Sequence, residues 1–262
     1  MTMSRLATAT AFSLLTSAGI AAATPMVGLV DGTTLVMFDT ETPAEVKSMA
    51  ISGTDRLVGI DWRPGNQTLV GVTADNMIVT IDPATGETSP LSEMNTPLPM
   101  ADMPVIVDFN PMADRLRLMT GTTNHRVNVD SGEVTVDGKL AFEEGDGDTG
   151  AQPMIAAAAY TNSFGQPDET AMYDIDTGLS ALVRQTSPND GTLAVIGELG
   201  MSLDGMAVAF DIHTSEDGTN TAWLVAGASV YNVDLDTGAA TRIVELDEID
   251  GTLADITAMP AS

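Results

Sequence analysis

Cysteine is absent from all 262 residues. That excludes a disulfide framework, thiol chemistry and thiolate metal centres, and leaves stability to packing alone. Histidine is scarce: His125 and His213 are the only two, too few and too far apart in sequence for a paired-histidine zinc helix. Basic residues number 10 against 37 acidic ones, for a formal charge of −27. A charge of that sign repels phosphate backbones and anionic headgroups, so nucleic acid and membrane surfaces are not expected partners. The acidity itself reads as a solubility adaptation to salty surroundings. No nucleophile elbow, phosphate loop or dinucleotide fingerprint occurs.

Long apolar runs are missing as well, with one interrupted exception at the start. Arg5 opens a short positive segment, Leu6 to Ile20 is apolar but diluted by Thr and Ser, and Ala21-Ala22-Ala23 offers an A-x-A cleavage site. Residues 1–23 therefore read as a secretory signal peptide, too short and too broken to span a bilayer. The expected product is a periplasmic or secreted protein with one domain over residues 24–262, a monomer with no membrane insertion.

What is present is a repeat. Leu57–Pro64, Val105–Pro111, Ile155–Asn162, Met206–His213 and Leu253–Pro260 align on a central polar residue: Asp61, Asp108, Tyr160, Asp211 and Thr257. Successive anchors lie 47, 52, 51 and 46 residues apart. A period near fifty with several short strands per unit marks a β-propeller blade. In the second unit the strands are predicted at Leu57–Arg63, Thr68–Thr73, Asn76–Ile81 and Thr88–Leu91, divided by Pro-Gly-Asn and Asp-Pro-Ala-Thr-Gly turns. Five residues follow the last anchor, so its unit must be completed elsewhere. The N-terminal segments Met26–Val30, Thr34–Asp39 and Val46–Ile51 supply the missing strands. The sequence thus predicts an all-β, five-bladed β-propeller closed by pairing its C-terminal strand with its N-terminal strands, which removes exposed sheet edges.

Alternation along the anchor strands separates two faces. Ile60 with Trp62, Val107 with Phe109, and Phe210 with Ile212 form a large apolar face suited to packing between blades. Gly59-Asp61-Arg63, Ile106-Asp108-Asn110 and Ala209-Asp211-His213 form a small-then-polar face. If these strands are innermost, Asp61, Asp108 and Asp211 approach the central channel, with Tyr160 and Thr257 completing the ring. Three converging carboxylates hold a hard cation such as Ca²⁺, raise one another's pKa for acid–base work, pair with Arg63, Arg115 and Arg117, or tie each blade to the next through backbone N–H groups. All four readings stay open at this point.

A second cluster joins Arg115 and Arg117 on one strand face with Asn124, Arg126 and Asn128 on the next. Together with Arg63, Asn110 and His213 these are candidate ligand-binding residues, because arginine forks suit carboxylates or phosphates. The alternative is internal pairing of the arginines with Asp108, Asp114 and Asp130. Three weaker signals have simpler explanations. Asp234 to Gly238 with Glu245 imitates a calcium loop but reads as a hairpin turn, Glu143 to Asp148 as a solvated acidic loop, and the methionines from Met94 to Met119 as core filling.

The residues Val107-Asp108-Phe-Asn-Pro-Met-Ala-Asp-Arg115-Leu-Arg117-Leu, followed by Asn124-His-Arg126-Val-Asn128-Val-Asp-Ser-Gly132, resemble a bacterial exported family known as a domain of unknown function. Leu57–Pro64, Gly145-Asp146, Ala157–Asn162 and Pro188–Leu193 extend the resemblance over nearly all of 24–262. His125 departs from it, standing where an apolar residue is usual. The resemblance implies a propeller-like repeat domain outside the cytoplasm and no particular reaction. Two functions follow as expectations. One is a non-catalytic scaffold binding a protein, glycan or small molecule at one end of the ring, with a cation at Asp61, Asp108 and Asp211. The other is a carboxylate-dependent, glycosidase-like hydrolase working in the channel. A glycosidase needs two carboxyl groups about 5–10 Å apart in open water; a scaffold buries them against backbone donors.

Overall fold

The computed structural model describes residues 24–40, 42, 45–99, 103–144, 151–246 and 249–260. The predicted leader at 1–23 and residues 145–148 of the acidic loop lie outside them. The described residues hold 21 strands and no helix. The first three are β1 (Pro25–Val30), β2 (Thr34–Asp39) and β3 (Lys47–Ala50). The second unit supplies β4 (Leu57–Arg63), β5 (Thr68–Thr73), β6 (Met77–Ile81) and β7 (Thr88–Glu93). The third supplies β8 (Ile106–Asn110), β9 (Arg115–Thr120), β10 (Thr123–Asn128) and β11 (Glu133–Val136). Next come β12 (Ala141–Phe142), β13 (Ile155–Tyr160), β14 (Met172–Asp176), β15 (Ala181–Ser187) and β16 (Thr192–Glu198). The chain finishes with β17 (Val208–Thr214), β18 (Asn220–Ala226), β19 (Ser229–Val233), β20 (Ala240–Glu245) and β21 (Leu253–Ala258).

Each unit folds as an antiparallel meander, because each apolar stretch is short and ends at a residue able to reverse the chain. Asn76, predicted inside a strand, has φ 68° and belongs to the turn, so β6 begins one residue later. Pro90 is tolerated within β7 because that strand lies at the blade's outer edge. The fourth blade differs from expectation. The two-residue β12, reaching back from the preceding connection, pairs parallel to β16 and gives that sheet five strands.

Closure follows the predicted route. β21 pairs antiparallel with β1, from Met26 opposite Ala258 to Val30 opposite Leu253, and the composite sheet runs β21-β1-β2-β3. The inner strands β21, β4, β8, β13 and β17 touch in circular order, with β17 meeting β21 again. The buried apolar residues divide into five clusters, each between two adjacent blades. Val27, Leu29, Ile60 and Leu69 join the first and second blades, while Met26, Phe38, Ala209 and Trp223 join the fifth and first. Five interfaces for five blades leave no open seam. Each apolar strand face finds its partner in a neighbouring blade, so no blade has a core of its own.

Candidate functional site

The small-then-polar faces of the inner strands meet at the ring axis. Asp61, Asp108 and Asp211 are 6%, 4% and 6% exposed, and one carboxylate oxygen from each lies within 4.8 Å of the others. Every one of them also accepts a backbone N–H from another blade. Phe109 N donates to Asp61 Oδ2 at 2.6 Å, Tyr160 N to Asp108 Oδ1 at 2.9 Å, and Ala258 N to Asp211 Oδ2 at 2.5 Å. Thr257 fills the same role at the seam: its Oγ1 accepts Trp62 N at 3.1 Å and donates to Asp61 Oδ1 at 2.7 Å. The Asp108 Oδ2 atom takes no hydrogen bond among the described residues.

A fourth carboxylate joins them. Asp255 is buried, accepting Ile60 N at 2.9 Å and Ile256 N at 3.0 Å. It stands two residues before the anchor, where the other repeats carry Gly59, Ile106 or Ala209, so comparison of the repeats gave no sign of it. Gly59 makes the space: a Cβ there would lie 3.0 Å from Asp255 Oδ2 and 2.4 Å from Val107 Cγ2.

Tyr160 does not complete the carboxylate ring. Asp61 binds the amide one residue past the third blade's anchor, whereas Asp108 binds Tyr160 N itself. Tyr160 therefore corresponds to Phe109, and Ala159 to the aspartates. The tyrosine packs with Ile106 and Met119 of the third blade, and its hydroxyl accepts Arg117 Nε at 3.2 Å. In the run Ala156 to Ala159 no alternation marks the register, and a one-residue slip exchanges the two faces of a strand. The fourth blade thus presents a methyl at the axis. Its link to the fifth blade is made instead by Ser163 N to Thr214 Oγ1 at 2.9 Å and Asn162 N to Asn220 Oδ1 at 2.9 Å.

Burial is the largest influence on the axis acids. It raises the pKa of Asp61, Asp108 and Asp255 well above the ordinary carboxylate range, and the repulsion of neighbouring aspartates adds to the rise. Asp211 is pushed up to about 6 by burial, with the amides of Ala258 and Ile212 holding it down. A void of about 20 Å³, large enough for one water-sized body, lies beside Asp61, Asp211, Thr257, Ser163 and His213. Burial lowers the His213 pKa.

The other candidate ligand residues fall into hydrogen-bond networks of their own. Arg63 grips Asp114 (2.6 and 2.8 Å) and Asp130 (2.8 Å twice) with its whole fork. Arg117, 2% exposed, donates to Asp137 Oδ2 at 2.7 Å and to Asn124 Oδ1 at 2.8 Å. Arg126 holds both oxygens of the same Asp137, at 2.6 and 2.9 Å. Asp137, not Asp108, is the partner, and the repeat pattern did not single it out. Arg115 donates to the Asp114 carbonyl at 2.9 Å. The side chains of Asn110 and Asn128 accept Ala113 N at 2.9 Å and Asp130 N at 3.1 Å within their own turns, and Asn124 Nδ2 donates to Pro188 O at 2.8 Å. The forks of Arg63, Arg117 and Arg126 already carry internal carboxylates. The Asp234 segment is a hairpin turn whose Oδ1 accepts Asp236 N at 3.0 Å and Thr237 N at 2.9 Å.

A closed ring of five β-meander sheets around buried, cross-blade-bonded aspartates defines a five-bladed β-propeller. The chain belongs to the family described as "Domain of unknown function (DUF4394)", whose model matches residues 34–257. No curated protein matches it. Solved structures share the fold. One is a Bacteroides thetaiotaomicron protein of unknown function, 14% identical over 90% of this chain and 64% of that one, with TM-score 0.51. Another is a luciferin-regenerating enzyme, 12% identical over 86% of this chain and 73% of that one, with TM-score 0.50. A weaker match, which adds nothing to the fold assignment, is an auxiliary nutrient binding protein from Bacteroides thetaiotaomicron, 12% identical over 84% of this chain and 59% of that one, with TM-score 0.47.

Proposed function

We propose that the protein is an exported, non-catalytic binding propeller, whose axis carboxylates latch the ring so that one end presents a rigid surface to a ligand. One observation carries this: the buried carboxylates of Asp61, Asp108, Asp211 and Asp255 each accept the backbone N–H of another blade. A glycosidase needs its two carboxyl groups in an open, water-accessible cleft. Asp61, Asp108 and Asp211 are instead shut away from solvent. Loss of hydrolysis of a glycoside panel in Asp61→Asn, with the wild type active, would favour the hydrolase instead.

The latch also suits a divalent cation. Ca²⁺ takes oxygen ligands at about 2.3–2.6 Å, so two ligands of one ion sit at most about 5 Å apart. The mutual 4.8 Å span of the three carboxylates fits that limit. In this second reading Asp61, Asp108 and Asp211 hold the ion, which replaces the protons that burial otherwise demands. Thermal melts at pH 8 are expected to rise by several degrees on going from EDTA to millimolar Ca²⁺, since a ligand at a hundred times its Kd adds about 2.7 kcal/mol. Indifference to both additions removes the cation and leaves the protonated latch.

A further inference from the structure

A cavity lies at the other end of the axis, where all five inner strands begin. It encloses about 620 Å³, within the range of small-molecule sites. Each blade gives it an apolar wall residue: Leu253, Val58, Val105, Ala156 and Val208 in ring order. Met206, 46% exposed, stands at the rim. Two charged residues line it as well, Arg56 and Asp31.

Arg56 differs from the other arginines described. Arg63, Arg117, Arg126 and Arg242 pair with carboxylates, Arg115 bonds backbone carbonyls and Arg184 covers the Tyr173 ring. Arg56 has no hydrogen bond or ion pair from its guanidinium among the described residues, in a chain with 37 acids. Its backbone is nonetheless fixed. Ala74 N donates to Arg56 O at 3.2 Å, and Leu57 N donates to Gly32 O at 2.8 Å. Gly32, at φ 75°, lets the β1–β2 turn press close, since a Cβ there would lie 2.8 Å from Arg56 Cγ. Asp31 in the same turn is held to the C-terminal segment, accepting Thr252 N on Oδ1 at 3.1 Å. A free fork on a fixed stem above an apolar funnel is the arrangement that selects a carboxylate on an apolar body.

We infer that this mouth binds small amphipathic carboxylates, with the carboxylate on Arg56 and the apolar part against Val58, Val105 and Val208. The inference deepens the binding reading above and is independent of the latch and its cation. The ligand's carboxylate belongs either to a simple acid or to a zwitterion, whose ammonium would face Asp31. Calorimetric titration of octanoate, octanamide and leucyl-leucine into the full chain separates these. The wild type is expected to bind octanoate at least tenfold more tightly than octanamide, and Arg56→Gln, at an exposed position, to bring the two to parity. Leucyl-leucine binding more tightly than octanoate, and weakened by Asp31→Asn, supports the zwitterion as the source. Equal affinity for octanoate and octanamide, or octanoate binding unmoved by Arg56→Gln, overturns the carboxylate assignment while leaving a binding propeller. Absence of heat with all three probes, in protein that melts cooperatively, overturns the mouth as the site.

Discussion

Asp137→Ala is expected to lower the unfolding free energy by about 3 kcal/mol, within the range for removing one partner of a buried ion pair. The 5% exposed carboxylate of Asp137 is shared between Arg117 and Arg126. Without it Arg117 keeps the neutral partners Asn124 and the Tyr160 hydroxyl, and a buried guanidinium needs an anion. Asp174 lies near enough for Arg117 to lower its pKa, which burial pushes up to about 7, so its ionisation offsets part of the loss. Asp114→Ala is the control: buried Arg63 retains the Asp130 carboxylate, and Asp114 is itself 35% exposed, so the loss is expected to be smaller, about 1 kcal/mol. Urea midpoints for the two variants compare them directly. Equal shifts would show that the Asp137 triad contributes no more than the half-exposed Arg63–Asp114 pair.

Ending the chain after Gly251 is expected to abolish the cooperative fold. The truncation removes β21, the inner strand of the composite blade, along with Asp255 and Thr257. Ile60 N, Trp62 N and the inner edge of β1 then lose their partners together. Val30, Leu253 and Ile256 pack in the cluster joining the fifth and first blades, so its apolar surface opens to water. Near-UV circular dichroism reads the outcome, and a truncated chain with native signal and a sharp melt would mean that the ring does not depend on its terminal seam.

The ring was legible in sequence because the evidence for it is repetitive. Strand alternation, turn residues and a short last unit recur or fall short at fixed intervals, and the composite blade follows from that shortfall. The convergence of Asp61, Asp108 and Asp211 was legible for the same reason. What stayed hidden lacks a repeat. Asp255 occupies a position that is small or apolar in the other blades, and its partner Ile60 is 195 residues away. Ala156 to Ala159 carry no alternation, so the repeat alignment puts the anchor one residue late, on Tyr160. β12 is two residues long and pairs through an irregular connection. The mouth cavity draws one ordinary-looking apolar residue from each blade, and only the closed ring brings Val58, Ala156 and Val208 around a common space.

The latch makes a specific demand on pH. In Asp61, Asp108, Asp211 and Asp255 the folded pKa is raised above that of the unfolded chain, so the folded state binds the extra protons and stability falls as pH rises. The window runs from about 4, where unfolded aspartates titrate, to beyond the value of about 6 reached by Asp211 and about 7 by Asp174. His125 and His213 act oppositely, since burial lowers their pKa and favours the folded state as pH rises toward the ordinary histidine range. Five raised aspartates outweigh two histidines. Asp108→Asn isolates the latch, because the amide oxygen still accepts Tyr160 N while one buried charge disappears. The deciding measurement is the denaturant stability of wild type and Asp108→Asn in EDTA between pH 5 and pH 8. Wild-type stability should fall across that range and the variant's should fall distinctly less; parallel curves, or a wild type that gains stability toward pH 8, would contradict a buried carboxylate latch at the axis.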